Sequence, residues 1–179
     1  AVAAGGIGLF VFNQQQAEKL AEQCPGHWHS TFALYIDDKR VPFPQPPYLL
    51  AGGQGGGKLP MRMHMHAPSQ EILHFEPNPA KCLGVADTMN LLDVGISDTA
   101  LVLDGGHSGG PFAGTYAEDG NKTLRYFVQE KDQAMAEQEW SALASQQLRD
   151  GSKLLILFGS YSAEQIQTMM NAISAPPGA

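Results

Sequence analysis

Basic residues are scarce in this chain: 11 lysines and arginines stand against 18 aspartates and glutamates, for a net charge of -7. No Lys/Arg cluster breaks the deficit. Nucleic-acid binding needs cations to neutralise phosphates, and a polybasic membrane patch needs them against anionic lipid, so neither is a candidate role. Cysteine is nearly absent. Cys24 and Cys82 are the only two, and they are not in a CxxC arrangement. Each sits just outside a histidine-bearing segment, so a disulfide is expected in an exported protein; a thiolate metal ligand is the alternative.

Long apolar runs are missing too. The uncharged stretch Ala1–Phe12, rich in Gly, Ala and aliphatics, falls short of the about 20 residues that span a bilayer. It has no initiator Met, basic n-region or cleavage site. It reads as the outer half of a membrane anchor that starts upstream, able to contact the membrane, or as a processed N-terminus with a short buried segment. A short helix over 13–23 then leads into the domain. Internal repeats are also absent. With 179 residues the chain fits one domain with a sizeable core: residues 1–23 as N-terminal segment, 24–174 as a histidine-rich domain, and 175–179 as a tail.

What the chain does have is histidine in a pattern. In a strand, alternate side chains leave opposite faces. On that period Met61, Met63 and Met65 point one way, and Arg62, His64 and His66 the other. After turn chemistry at 67–70, Leu73 and Phe75 separate in the same manner from Ile72, His74 and Glu76. A hairpin register that sets His64 opposite His74 also sets Arg62 opposite Glu76, a favourable cross-strand charge pair. Upstream, Trp28, Phe32, Leu34 and Ile36 share a face, leaving His27 and His29 with Thr31, Ala33 and Tyr35. Five of the six histidines therefore lie on the non-core sides of three predicted strands.

Elsewhere the reading is of alternating short elements. Asp37–Arg40 is a turn and Val41–Phe43 an edge strand, because Pro42 removes a ladder donor. Asp87 is expected as an N-cap of a short helix that stops near Gly95, followed by a buried strand at Thr99–Leu103. A hairpin is expected around Glu118–Asn121, with Thr123–Val128 as its second arm. A helical pattern runs from Gln133 to Leu148, and Leu154–Phe158 is a strand. Ser162 with Gln165 forms a capping box for a last amphipathic helix to Ile173. The sum is an α+β domain: an antiparallel or mixed sheet with helices packed on one face. The terminal strand and the helix before it resemble a β-grasp-like arrangement, by analogy only.

Two glycine-rich segments invite other chemistry. Gly52–Lys58 superficially matches a phosphate loop, but Leu59 stands where Ser or Thr is needed and no strand-loop-helix context surrounds it. Gly106-His107-Ser108-Gly109-Gly110-Pro111 is one substitution from the GDSGGP sequence around the nucleophile of chymotrypsin-like serine proteases. The catalytic-histidine context and an aspartate in the right order are missing, and a triad is recognised by roles and geometry. A turn between strands is the expectation, with His107 as an extra ligand if that loop folds over the sheet.

The joined pattern runs from Cys24-Pro25-Gly26-His27-Trp28-His29, through Met63-His64-Met65-His66 and Ile72-Leu73-His74-Phe75-Glu76, to the strand beginning Asp150-Gly151-Ser152. It resembles a group of exported, often membrane-anchored prokaryotic domains whose usual forms read HWHA, LHTH and IHVE. The likeness covers about residues 24 to 160, departing at Met65, where Thr is usual, and in the segment around 105–114. It implies export, to the periplasm or cell surface, and a histidine-rich site without naming a reaction.

Imidazole is the commonest side-chain metal ligand, and clustered neutral imidazoles suit Zn, Cu, Ni or Fe(II). The expected site is a Zn or Cu centre on the outer face of a sheet, built from His27, His29, His64, His66 and His74. Glu76 would be a ligand or a partner for an imidazole N–H, and Tyr35 a redox or hydrogen-bonding group. The alternating methionines suggest Cu(I), but their face assignment puts them in the core, where Met fills irregular gaps. Two other functions fit the same residues: a non-catalytic subunit docking onto a membrane protein complex, and a metal-dependent hydrolase with an open coordination position.

Overall fold

The computed structural model describes residues 27–43, 49–50, 63–66, 71–75, 83–103 and 110–174. Expectations that rest on Cys24, Arg62, Glu76, Cys82 and His107, on the stretches 1–23 and 52–58, and on the tail 175–179 lie outside these residues. In chain order the elements are β1 (Trp28–Ile36), β2 (Lys39–Arg40), β3 (Leu49–Leu50), β4 (Met63–His66), β5 (Ile72–Phe75), α1 (Val85–Leu91), β6 (Val94–Ile96), β7 (Ala100–Leu103), β8 (Gly114–Ala117), β9 (Thr123–Gln129), β10 (Ala136–Gln138), α2 (Trp140–Leu143), β11 (Lys153–Gly159) and α3 (Ala163–Ala172).

The apolar alternation of β1 makes it the centre of a mixed sheet ordered β10-β9-β11-β1-β5-β4-β3. It pairs in parallel with β11. Its other edge is shared: β5 runs antiparallel along Trp28–Thr31, and β2 returns antiparallel against Tyr35 and Ile36. The β1–β2 hairpin turns on Asp37 and Asp38, both at positive φ (48° and 64°), a conformation that Asp tolerates better than most residues. Strands β6, β7 and β8 form a separate antiparallel sheet.

One core lies between the even-numbered face of β1 and the small sheet with α1 and α2. It joins Trp28, Phe32, Leu34, Met63, Met65, Leu73 and Phe75 to Val85, Met89, Leu101, Leu103 and Leu143. Met63 and Met65 are fully buried, as the strand period predicts. The α+β class holds, but helices sit on both faces of the main sheet. Ile166 and Met170 of α3, with Ile173 just beyond it, pack on Ala33, Phe127, Leu155 and Leu157 to make a second, smaller core on the opposite side. The face assigned to the outside is therefore covered along half of β1.

Several local expectations are corrected. Strand pairing after the first turn stops at Arg40, and Val41 and Phe43 are instead buried core residues outside any strand. The N-cap of α1 is Gly84, with Asp87 inside the first turn, where a carboxylate still favours the helix dipole. Val94–Ile96, expected to end a helix, is a strand. The turn at 118–121 exists, with Asp119 Oδ1 accepting from the backbone N–H groups of Asn121 and Lys122 at 3.0 Å each. Its arms do not pair with each other: β8 joins β7 and β9 joins β11, so the chain changes sheets there. The helix expected over 133–148 shrinks to Trp140–Leu143, because Ala136–Gln138 completes the edge of the main sheet against β9. A two-point Arg125–Glu137 ion pair at 2.7 Å spans that edge, and tertiary pairing overrides local helix preference.

Candidate metal centre

The histidines meet because two registers agree. Across β1 and β5, His29 is paired with His74, and across β5 and β4, His74 is paired with His64. Three imidazoles from three neighbouring strands thus form one row across the sheet. His27, immediately before β1, lays its ring on that of His74 at 4.0 Å between centroids, 19° from parallel. His64 stacks on His74 as well, at 4.7 Å and 16°. His29 meets His74 edge-on, at 4.4 Å and 77°, and His27 at 4.7 Å and 58°.

On the reverse face the same register stacks Trp28 on Phe75 at 4.9 Å and 6°. A one-residue slip would exchange the aromatic and histidine faces, so core packing selects the alignment that gathers the imidazoles. The start of β1 is clamped from the far end of the sequence. Trp28 Nε1 donates to the Leu148 carbonyl at 2.8 Å. The His29 backbone N–H donates to Asp150 Oδ1 at 2.9 Å, and the His29 carbonyl accepts from the Gly151 N–H at 2.8 Å. Sequence reading missed Asp150 as a support for the site, and no local signal marks it: the two residues are 121 positions apart.

Exposure falls along the cluster. His27 is exposed, His29 and His74 are half-buried, and His64 is 6% exposed. Among the described residues, His27, His29 and His74 are the group able to hold a metal ion, each offering a ring nitrogen within 4.8 Å of the others. His64 supports the row without entering that trio. His66 lies in β4 at the position paired with Leu50, and its side chain lies outside the described residues. Tyr35 shares the histidines' side of β1 but packs against the α3 cluster. At about 3.3 Å per strand residue it stands roughly 20 Å from His29, too far to join the site.

No family model, curated protein or solved structure matches this chain.

Three borderline nitrogen donors suit first-row divalent ions. With metal–nitrogen bonds of about 2.0–2.1 Å, the nitrogens of a tetrahedral centre lie roughly 3.4 Å apart, so the observed spacing of up to 4.8 Å needs a modest contraction. Ring lone pairs lie in the ring plane. His29 and His74 are nearly perpendicular and offer ring nitrogens within 4.8 Å of each other. His27, nearly parallel to His74, has to turn to join them. The thioethers of Met63 and Met65 belong to the opposite face and the core, so among the described residues the donors of this group are nitrogen alone.

Proposed function

We propose that this chain is an extracytoplasmic metal-binding domain in which His27, His29 and His74 hold one Zn(II) or Cu(II) ion. The observation that carries the reading is the gathering of three imidazoles within 4.8 Å, one from β5, one from β1 and one from the residue just before β1, where packing on the other face fixes the register. The nitrogen donors found among the described residues support a divalent ion over Cu(I), which thioether and thiolate ligands favour. Placement outside the cytoplasm, with an anchor at the membrane, is supported by the apolar run Ala1–Phe12 and by the resemblance to exported histidine-strand domains. No helix among the described residues is long and apolar enough to cross a membrane.

Elemental analysis after loading with Zn(II) or Cu(II) and gel filtration tests the proposal. One ion per chain is expected, lost in His29→Ala and in His74→Ala while both variants remain folded by circular dichroism. A purified chain with no stoichiometric ion, or variants that keep it, would overturn the reading in favour of a docking subunit of a membrane complex.

A further inference from the structure

We infer that this three-histidine site holds its ion exchangeably, passing it to an incoming nitrogen or oxygen donor through an outward coordination position, as suits divalent ions in transit. The inference rests on the metal-binding reading above and says what that site is for.

The strands that carry the trio are held by contacts of their own. Strands β1 and β5 are joined along Trp28–Thr31 by their own ladder, locked by the Trp28–Phe75 stack and pinned by Leu148, Asp150 and Gly151. Structural zinc sites, by contrast, are closed by four protein ligands and supply folding energy outright.

Among the described residues the trio leaves a tetrahedral ion with one position unfilled. His64, the next imidazole in the row, is on the buried side of His74 and outside the trio, so the remaining position belongs to the exposed His27 side. His27 is the weak member: it precedes the strand, is exposed, and reaches an ion only by leaving its stack on His74. Exchange then follows directly. An external donor forms a bond to the ion at the fourth position, the bond to the His27 nitrogen breaks, and His27 returns to its stack on His74. The ion keeps its charge throughout, and no electron moves.

The experiment uses the full chain loaded with Zn(II) and mixed in a stopped-flow cell with excess 4-(2-pyridylazo)resorcinol. Zinc transfer is expected at a rate that rises in proportion to chelator concentration, and faster by about tenfold or more in His27→Ala. The zinc-free chain is expected to keep its circular dichroism and a cooperative thermal transition, raised by zinc only as far as ligand linkage requires. A rate independent of chelator concentration, a His27→Ala rate equal to that of the parent, or loss of the cooperative transition without zinc overturns the inference. His27 lies outside the ladder and both cores, so that variant folds. A chain that takes up no zinc defeats both readings; one that takes it up and withholds it from the chelator defeats this one alone.

Discussion

His64 and His74 face each other across a single register pair, yet His74 belongs to the trio able to hold an ion and His64 does not. Replacing His64 with Ala removes a buried ring stacked on His74 and leaves that imidazole of the trio less firmly held. Zinc stoichiometry should stay at one per chain while affinity drops about tenfold, measured by competition with a chelator; loss of all binding would make His64 a ligand. Thr31 offers a second test. Its hydroxyl is fully buried on the histidine face and has no hydrogen-bond partner among the described residues. An unsatisfied buried hydroxyl costs about 1–3 kcal/mol, so Thr31→Val should leave stability unchanged or raise it by roughly 1 kcal/mol, read from urea midpoints. That His27, His29, His64 and His74 come together was legible from the strand period alone, because HxH spacing and apolar alternation gave the same answer. That His64 drops out of the trio was not, since spacing along a strand says nothing about how rings stack across it.

At the scale of elements, local chemistry was readable where it is self-contained. The Ser162–Gln165 capping box forms as its letters imply, with Ser162 Oγ accepting from the Gln165 N–H at 3.2 Å and Gln165 Oε1 from the Ser162 N–H at 2.8 Å. Ser162→Ala should cost about 1 kcal/mol and loosen α3 from the second core, seen as faster amide exchange in residues 163–172. Gly84 is a different case, because its requirement comes from a distant neighbour. A Cβ there would sit 2.9 Å from the Ala144 carbonyl oxygen, where Gly84 bridges Gln147. Gly84→Ala should therefore destabilise by roughly 1–3 kcal/mol, a loss checked by denaturant titration. The same dependence on partners hid β10: the segment around Met135–Gln138 has good helix formers, and only the open edge of β9 makes it a strand. The arms around Asp119 show the same limit, since the turn is local but the sheets they enter are not.

For the molecule as a whole, acid sensitivity follows from a junction beside the site. Glu71 joins β2 to the end of α3, accepting from Arg40 and from the Ser174 backbone N–H. Burial pushes its carboxyl up, but the Arg40 hydrogen bond, the Ser174 N–H and the Arg40 charge together hold it below its ordinary value of 4.5. A carboxylate with a depressed folded pKa adds stability that is present above 4.5 and drains away as pH falls through the folded value. Unfolding midpoints should fall on acidification below 4.5, the ordinary value, and less steeply in Glu71→Gln. A parallel pH profile for that variant would remove Glu71 from the account. The α+β class could be read from the alternation of short elements. The second core could not, because Ala33, Leu155 and Leu157 come together under α3 only once β1 and β11 are side by side.

The clamp on His29 has a consequence for synthesis. All three imidazoles of the trio lie at or before residue 74, but the carboxylate and amide that hold the start of β1 belong to Asp150 and Gly151. The neighbouring strand β11 comes later still. A nascent chain paused before residue 150 carries every nitrogen donor without the frame that aligns them. A ribosome-bound series of increasing length should gain zinc affinity in one step, as that last strand emerges, rather than at the emergence of His74.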